Sequence, residues 1–211
     1  NNYNNAYKID DKKAIDINFA TKIIGSWKGL SKKGLVAVDD DGQEDAITED
    51  AAPMRRAVAF SKSIKDSKQM QEVFGQLVQT YQQAHQQQEG QEGQEEALQG
   101  MVACQLQHVD GTMNALKRQT SLDWLKADVG EGQCRILTNA RCLSEGIDVP
   151  ALDAVVFFDT RESIVDIVQS VGRVMRKAEG KQFGYIILPV CIPSERVKDY
   201  NNYIDSDPQF K

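Results

Sequence analysis

The sequence is poor in the residues that build metal and disulfide sites. It has two histidines and four cysteines in 211 residues. Cys104, Cys134, Cys142 and Cys191 include no C-x-x-C pair, and His85 and His108 stand near none of them in a ligand spacing. Neither a zinc site nor a disulfide framework is expected, no metal ligand is expected, and a reducing cytoplasm is the expected setting. Long apolar runs are lacking too. The longest, Ala154–Phe158 and Tyr185–Val190, fall far short of a membrane span or a signal-peptide core, so no membrane partner is expected. No G-x-x-x-x-G-K-[ST] occurs, so there is no phosphate-cradling loop. Nor is there a D-E-x-H or D-E-x-D stretch to hold magnesium; the D-D-D at Asp39–Asp41 sits in a polar segment with no buried strand before it. Residue 1 is Asn rather than Met, as expected of a piece of something longer.

What is present is an ordinary globular composition, 41% hydrophobic and 27% charged, in a chain long enough to bury its own core. The net charge of −6 is unevenly spread. Asp39–Asp50 holds seven acids and Gln82–Gly100 four, with no Lys or Arg in either stretch, so the remainder carries +5. Both stretches read as loops. The folded body is then mildly basic, which permits a nucleic-acid partner without demanding one.

Residues 1–13 are polar and read as a frayed lead-in. Ala14–Leu30 carries a helical stripe of Ile17, Ala20, Ile23, Ile24 and Trp27. Arg56–Phe60 reads as a short buried strand, with Ser61 or Ser63 placed to cap the helix striped by Met70, Val73, Phe74, Leu77, Val78 and Tyr81. Gln82–Gln99 is too rich in Gln, Glu and Gly to pack and reads as a mobile surface insertion. Then strands (102–109, 135–138, 153–158, 184–190) alternate with helices (113–126, 163–177) and a short helical turn at 142–145. This order predicts an α/β fold: a mainly parallel sheet with helices on both faces, plus an N-terminal helix. The expected division is an N-terminal helical and acidic linker over 1–52, a main domain over 53–192 and an extension over 193–211. Ligands of such sheets bind in loops beyond the carboxyl ends of the strands.

Those loops carry the informative residues. At about 100° per residue, Ile164, Ile167, Val168, Val171 and Met175 share one face of the helix at 163–177. Gln169, Arg173 and Arg176 project from nearly the opposite side, with Gly172 leaving room beside them. Two arginines one turn apart repel unless an anion lies between them, and planar guanidiniums suit phosphate oxygens. An isolated pair would read as a solvated face. Here it follows Ile136–Pro150, ILTNARCLSEGIDVP, in which Thr138 ends a strand and Gly146 and Asp148 lie in a turn where a carboxylate can meet a ribose hydroxyl. His108 at a strand end reads as a packed or hydrogen-bonded histidine rather than a base, and Trp27 and Trp124 as core or interface residues.

Together these stretches resemble superfamily-two helicases. Thr138–Pro150 is similar to their motif V and Gln169–Arg176, QSVGRVMR, to motif VI. RAVAFS at Arg56–Ser61 stands where motif IV would, and HVDGTMNALKR at His108–Arg118 resembles the motif between IV and V. The wording is closest to large bacterial helicases linked to single-polypeptide restriction–modification enzymes. The resemblance spans roughly residues 53–192 and implies the C-terminal RecA-like domain of a two-domain motor. ATP with magnesium would lie between this domain and an upstream RecA-like partner that holds most of the metal's ligands. It implies arginine fingers at Arg173 and Arg176, nucleotide contacts or coupling at Gly146, Asp148, Gln169 and Gly172, and positions near the nucleic-acid backbone at Ser61, Gly111 and Thr138. DNA is the expected partner, although phosphate contacts do not themselves distinguish DNA from RNA. Two alternatives stand beside this: a helicase-like binding or scaffolding domain that has lost ATP turnover, and an unrelated nucleotide-binding α/β domain.

Overall fold

The computed structural model describes residues 6–8, 14–33, 36–38, 44–46, 52–86, 100–140, 152–159, 167–168, 171–172, 176–178 and 181–192. Strand β1 (Ala6–Lys8) pairs antiparallel with β2 (Ala14–Asp16), placing a ladder inside the expected frayed lead-in. Three residues are too few for strand periodicity to declare itself in sequence. Asp16 then caps helix α1 (Ile17–Leu30), its carboxylate accepting the Phe19 amide at 3.0 Å. Ala20, Ile23, Trp27 and Leu30 form the buried stripe, while Ile17 at its start is partly exposed. The Trp27 indole N–H donates to the Val102 carbonyl at 2.8 Å, so this deeply buried ring leaves no polar atom unpaired.

The acidic stretch is likewise not all loop. β3 (Val36–Val38) pairs antiparallel with β4 (Glu44–Ala46), a backbone ladder that composition alone does not announce. The next helix also runs further than its composition indicates. After β5 (Arg56–Phe60), α2 extends over Ile64–Gln86, taking in five residues expected to belong to the insertion. Glutamine is a good helix former, and His85 Nδ1 donates back to the Tyr81 carbonyl at 2.9 Å with the two rings 4.0 Å apart.

The remaining strands, β6 (Ala103–Val109), β7 (Gln133–Asn139), β8 (Ala154–Phe157) and β9 (Tyr185–Ile187), complete a five-stranded parallel sheet with β5, in the order β6-β7-β5-β8-β9. Its central strands are buried on both faces, as parallel sheets require. Ala57, Ala59, Cys134, Ile136, Ala154 and Val156 point to one face, where α1 and α2 supply Ile23, Trp27, Met70, Val73, Phe74 and Leu77. Val58, Phe60, Leu137, Val155 and Phe157 point to the other, toward Leu125 of helix α3 (Ala115–Lys126) and toward Ile167 and Val171. Helix α1 thus shares a core with residues 53–192, although it precedes them in sequence.

The amino end of the sheet is held by arginines. Arg56 and Arg135 are register partners on β5 and β7. Arg56 donates to the Leu125, Lys126 and Ala127 carbonyls at 3.0, 3.4 and 3.0 Å. Arg135 donates to the Trp124 and Ala127 carbonyls at 2.5 and 3.4 Å, with its guanidinium 5.2 Å from the Trp124 ring. Arg55 adds the Val129 carbonyl and the Asp128 carboxylate. A helix ends with four unpaired carbonyls and a partial negative charge, and guanidiniums answer both.

Candidate functional site

The parallel sheet directs the loops after β5, β6, β7 and β8 to one end. Ser63 caps α2: its hydroxyl accepts the Asp66 amide at 3.1 Å and donates to the Asp66 carboxylate at 2.7 Å. This places Lys62, Lys65 and Lys68, all exposed, on the entry to α2. After β6, the turn through Gly111 leads to Asn114, which caps α3 by accepting the Lys117 amide at 2.8 Å. Gly111 and Lys117 are exposed and Arg118 is half-buried. After β8, Asp159 accepts the Lys62 amide at 3.0 Å and the Lys22 ammonium at 3.3 Å, joining α1, the β5 loop and the end of β8.

Beneath this exposed layer lies a buried polar chain. Ser67 Oγ is 2.6 Å from His108 Nδ1 and 3.0 Å from Thr138 Oγ1. His108 Nε2 is 2.9 Å from Asp110 Oδ2. The other carboxylate oxygen of Asp110 accepts the Thr112 amide at 2.8 Å and hydroxyl at 2.5 Å. The hydrogen bonds from Thr112 and then from His108 outweigh burial and hold the Asp110 carboxyl well below the usual carboxylate range. Asp110 is therefore ionised at neutral pH and accepts only, which puts a proton on His108 Nε2. Lys68 Nζ stands 3.6 Å from the same carboxylate.

The sequence-derived site residues divide three ways. Ser61 and Thr138 are buried, at 1% and 0% exposure, so their hydroxyls lie under the surface rather than on it. The Ser61 amide donates to the Asn139 carbonyl at 2.9 Å, while Ser61 Oγ and Asn139 Oδ1 are buried without a partner. Gly111, Gly172 and Arg176 are exposed, and a Cβ built at Gly172 would meet nothing within 4 Å. Gly146, Asp148, Gln169 and Arg173 lie outside the described residues, as does the turn expected at 142–145. Of the expected apolar stripe, Ile167 and Val171 pack on the core but Val168 is 62% exposed. His108 is hydrogen-bonded and packed, as expected. Ser67, Asp110, Asn139 and Asp159 carry no mark in the sequence reading. The signal for Asp110 is its i, i+2 spacing from His108 at a strand end, whereas Ser67 lies within a helix and has none.

Known proteins agree with this geometry. The helicase conserved C-terminal domain family matches residues 45–178. The solved structure of the ATP-dependent Type ISP restriction-modification enzyme LlaBIII bound to DNA is 35% identical with a TM-score of 0.72, over 95% of this chain and 12% of that one. A probable helicase of African swine fever virus (isolate Pig/Kenya/KEN-50/1950) is 36% identical over 84 residues, 40% of this chain and 10% of the viral protein. The chain thus spans about a tenth of each relative. With its parallel sheet covered on both faces and its loop residues gathered at the carboxyl end, the chain belongs to the helicase C-terminal domain family, as a RecA-like domain of the superfamily-two type.

Proposed function

We propose that this chain is the second motor domain of an ATP-dependent DNA helicase or translocase, working with an upstream RecA-like domain in the cytoplasm. The observation that carries the reading is the charge arrangement at the carboxyl end. Lys62, Lys65, Lys68, Lys117 and Arg118 stand on the two helix entries there. The acids among them are already engaged, Asp66 by Ser63 and Asp110 by Thr112 and His108. Five cations against these two acids leave net positive charge beside Gly111, which suits phosphates, and DNA as the substrate rests on the likeness to a DNA-bound restriction–modification enzyme. Ser61 and Thr138 support this surface from below.

ATP with magnesium supplies the phosphate bond whose hydrolysis drives such a motor. In this reading Arg173 and Arg176 are its fingers, Gly146, Asp148 and Gly172 line the nucleotide, and Gln169 couples it to domain closure. The open space beside Gly172 and the exposure of Arg176 fit the approach of a triphosphate. The domain is read as 53–192, with 1–52 and 193–211 as flanking segments.

Binding of a fluorescent DNA duplex against salt tests the interface. Lys65→Glu and Lys117→Glu are expected to lower the slope of log affinity against log salt by about 0.9 for each phosphate no longer neutralised. Lys126→Glu, at the far end of α3, is expected to leave it unchanged. Equal effects from both ends would overturn the assignment.

A further inference from the structure

By distance alone, Ser67, His108 and Asp110 match the nucleophile–base–acid chain of a hydrolase. Burial rejects that use. Ser67 is 0%, His108 6% and Asp110 1% exposed, and the Ser67 hydroxyl already faces Thr138. No substrate reaches it. Burying four polar side chains still costs free energy that apolar residues would not, so a fully connected chain calls for a role.

Its ends indicate one. Ser67 stands near the start of α2, and Thr138, the register partner of His108, stands on β7. At the far end Asp110 holds the Thr112 amide and hydroxyl, closing the turn that contains Gly111 and leads to the α3 cap. Two segments distant in sequence, α2 and β7, are thus tied to one turn by hydrogen bonds of 2.5–3.0 Å. We infer that Ser67, His108 and Asp110 are positioning residues that hold the 110–114 turn at a set height over α2 and β7, so that it and the α2 entry meet successive backbone phosphates together. This rests on the reading of Gly111 as part of the nucleic-acid track.

Asp110→Asn is the informative variant. Its amide Nδ2 can donate to His108 Nε2, and the ring then carries its proton on Nδ1 and donates to Ser67, so the chain reconnects with its direction reversed. His108→Phe keeps a ring but breaks its links to Ser67 and Asp110, and Ser67→Ala breaks the links to His108 and Thr138 with little loss of volume. Two measurements on the 211-residue chain test the proposal: hydrogen exchange at the Thr112 amide, and binding of a labelled single-stranded oligonucleotide at 50 and 200 mM salt, each at a temperature where circular dichroism shows the variant folded. His108→Phe and Ser67→Ala are expected to speed exchange. Each should also shrink the affinity ratio between the two salt concentrations by about 2.6-fold, the effect of one phosphate fewer neutralised on a single strand. Asp110→Asn should retain most of the wild-type exchange protection and salt ratio.

Unchanged Thr112 exchange in Ser67→Ala overturns the positioning role outright, whether or not His108→Phe folds. Faster exchange with a wild-type salt ratio overturns the link to nucleic acid. Gly111→Glu separates that result from failure of the parent reading: if it also leaves binding unchanged, the turn is not on the track at all, and if it weakens binding the track stands while the positioning claim falls.

Discussion

The two ends of the one parallel sheet are built on opposite plans. At the amino end, three arginines turn their donors onto carbonyls of the segment 124–129, and Asp153 accepts the Arg55 and Arg56 amides at 2.8 and 2.9 Å. Charge is there consumed by the chain itself. Burial among carbonyls lowers the Arg56 guanidinium below its ordinary value, with neighbouring Arg55 adding to the effect. At the carboxyl end, the buried layer is hydroxyl, imidazole and carboxylate; Lys22 and Lys68 lean on Asp159 and Asp110, while Lys62, Lys65 and Lys117 stand outside it facing water. Ser61 Oγ and Asn139 Oδ1 remain unpaired there, at a cost of about 1–3 kcal/mol each, and at the amino end Arg135 Nε is unpaired in the same way. The contrast teaches that basic residues alone do not mark a ligand face. What marks it is whether their donors are already taken.

The largest effect is expected at the two arginines proposed as fingers. Arg173→Lys and Arg176→Lys in the full-length protein are expected each to lower DNA-stimulated ATP turnover by roughly a thousand-fold or more, with an unchanged melt. Lysine keeps the charge but loses the planar fork, and the loss should fall on kcat rather than on ATP affinity if the groups act on transition-state charge. Near-normal kcat in both variants would remove the finger assignment, and a lowered Tm with proportionate activity loss would make the arginines structural.

At the amino end the same chemistry predicts the reverse pattern. Arg56→Ala uncovers the Leu125 and Lys126 carbonyls and leaves that of Ala127 only its longer bond from Arg135, and is expected to cost about 2 kcal/mol of stability by urea unfolding, the range for hydrogen bonds to charged groups. Arg135→Ala should cost a similar amount. Neither should change the salt slope of DNA binding. An arginine here that altered the slope without altering stability would erase the distinction between the ends.

Much of this is legible in sequence because burial on both faces leaves a continuous apolar run, as in AVVFF at 154–158, and because α1 and α2 carry clean stripes. The relay is not. Ser67 and His108 are 41 residues apart and Ser67 and Thr138 are 71, and only the parallel register sets His108 beside Thr138. The short ladders that pair 6–8 with 14–16 and 36–38 with 44–46 escape a sequence reading for another reason, since three-residue strands rest on backbone pairing that composition does not encode. Asp159 is invisible there because its partners, Lys22 and the Lys62 amide, come from separate segments.

Acid sharpens the comparison further. The Asp110 carboxyl is held below its unfolded value, so the stability it contributes is fully present above about pH 4 and is lost as pH falls through its native value. The wild-type urea midpoint should therefore fall as pH drops below about 4, and Asp110→Asn should show a flatter acid limb. Parallel limbs for the two proteins would mean that the carboxylate gains nothing from Thr112 and His108.

The smallest effect is expected from the Gln- and Glu-rich stretch. Because α2 runs through Gln86, a clean deletion begins at Gln87 and ends at Glu96. It spares the Tyr81–His85 contact that finishes the helix and the Val102 carbonyl that receives the Trp27 indole. If the stretch is the surface insertion its composition predicts, shortening it changes closure entropy only as the logarithm of its length, so stability should shift by less than about 0.5 kcal/mol. The deletion also removes four acids and no base, which makes the chain less negative by four charges. If these acids lie within a Debye length of the carboxyl-end cations, DNA binding should tighten at low salt and converge with wild type at high salt. A stability loss above about 2 kcal/mol would instead show that the stretch packs against the fold, well outside the range of surface changes. Unchanged binding at every salt concentration would place these acids electrically remote from the carboxyl end.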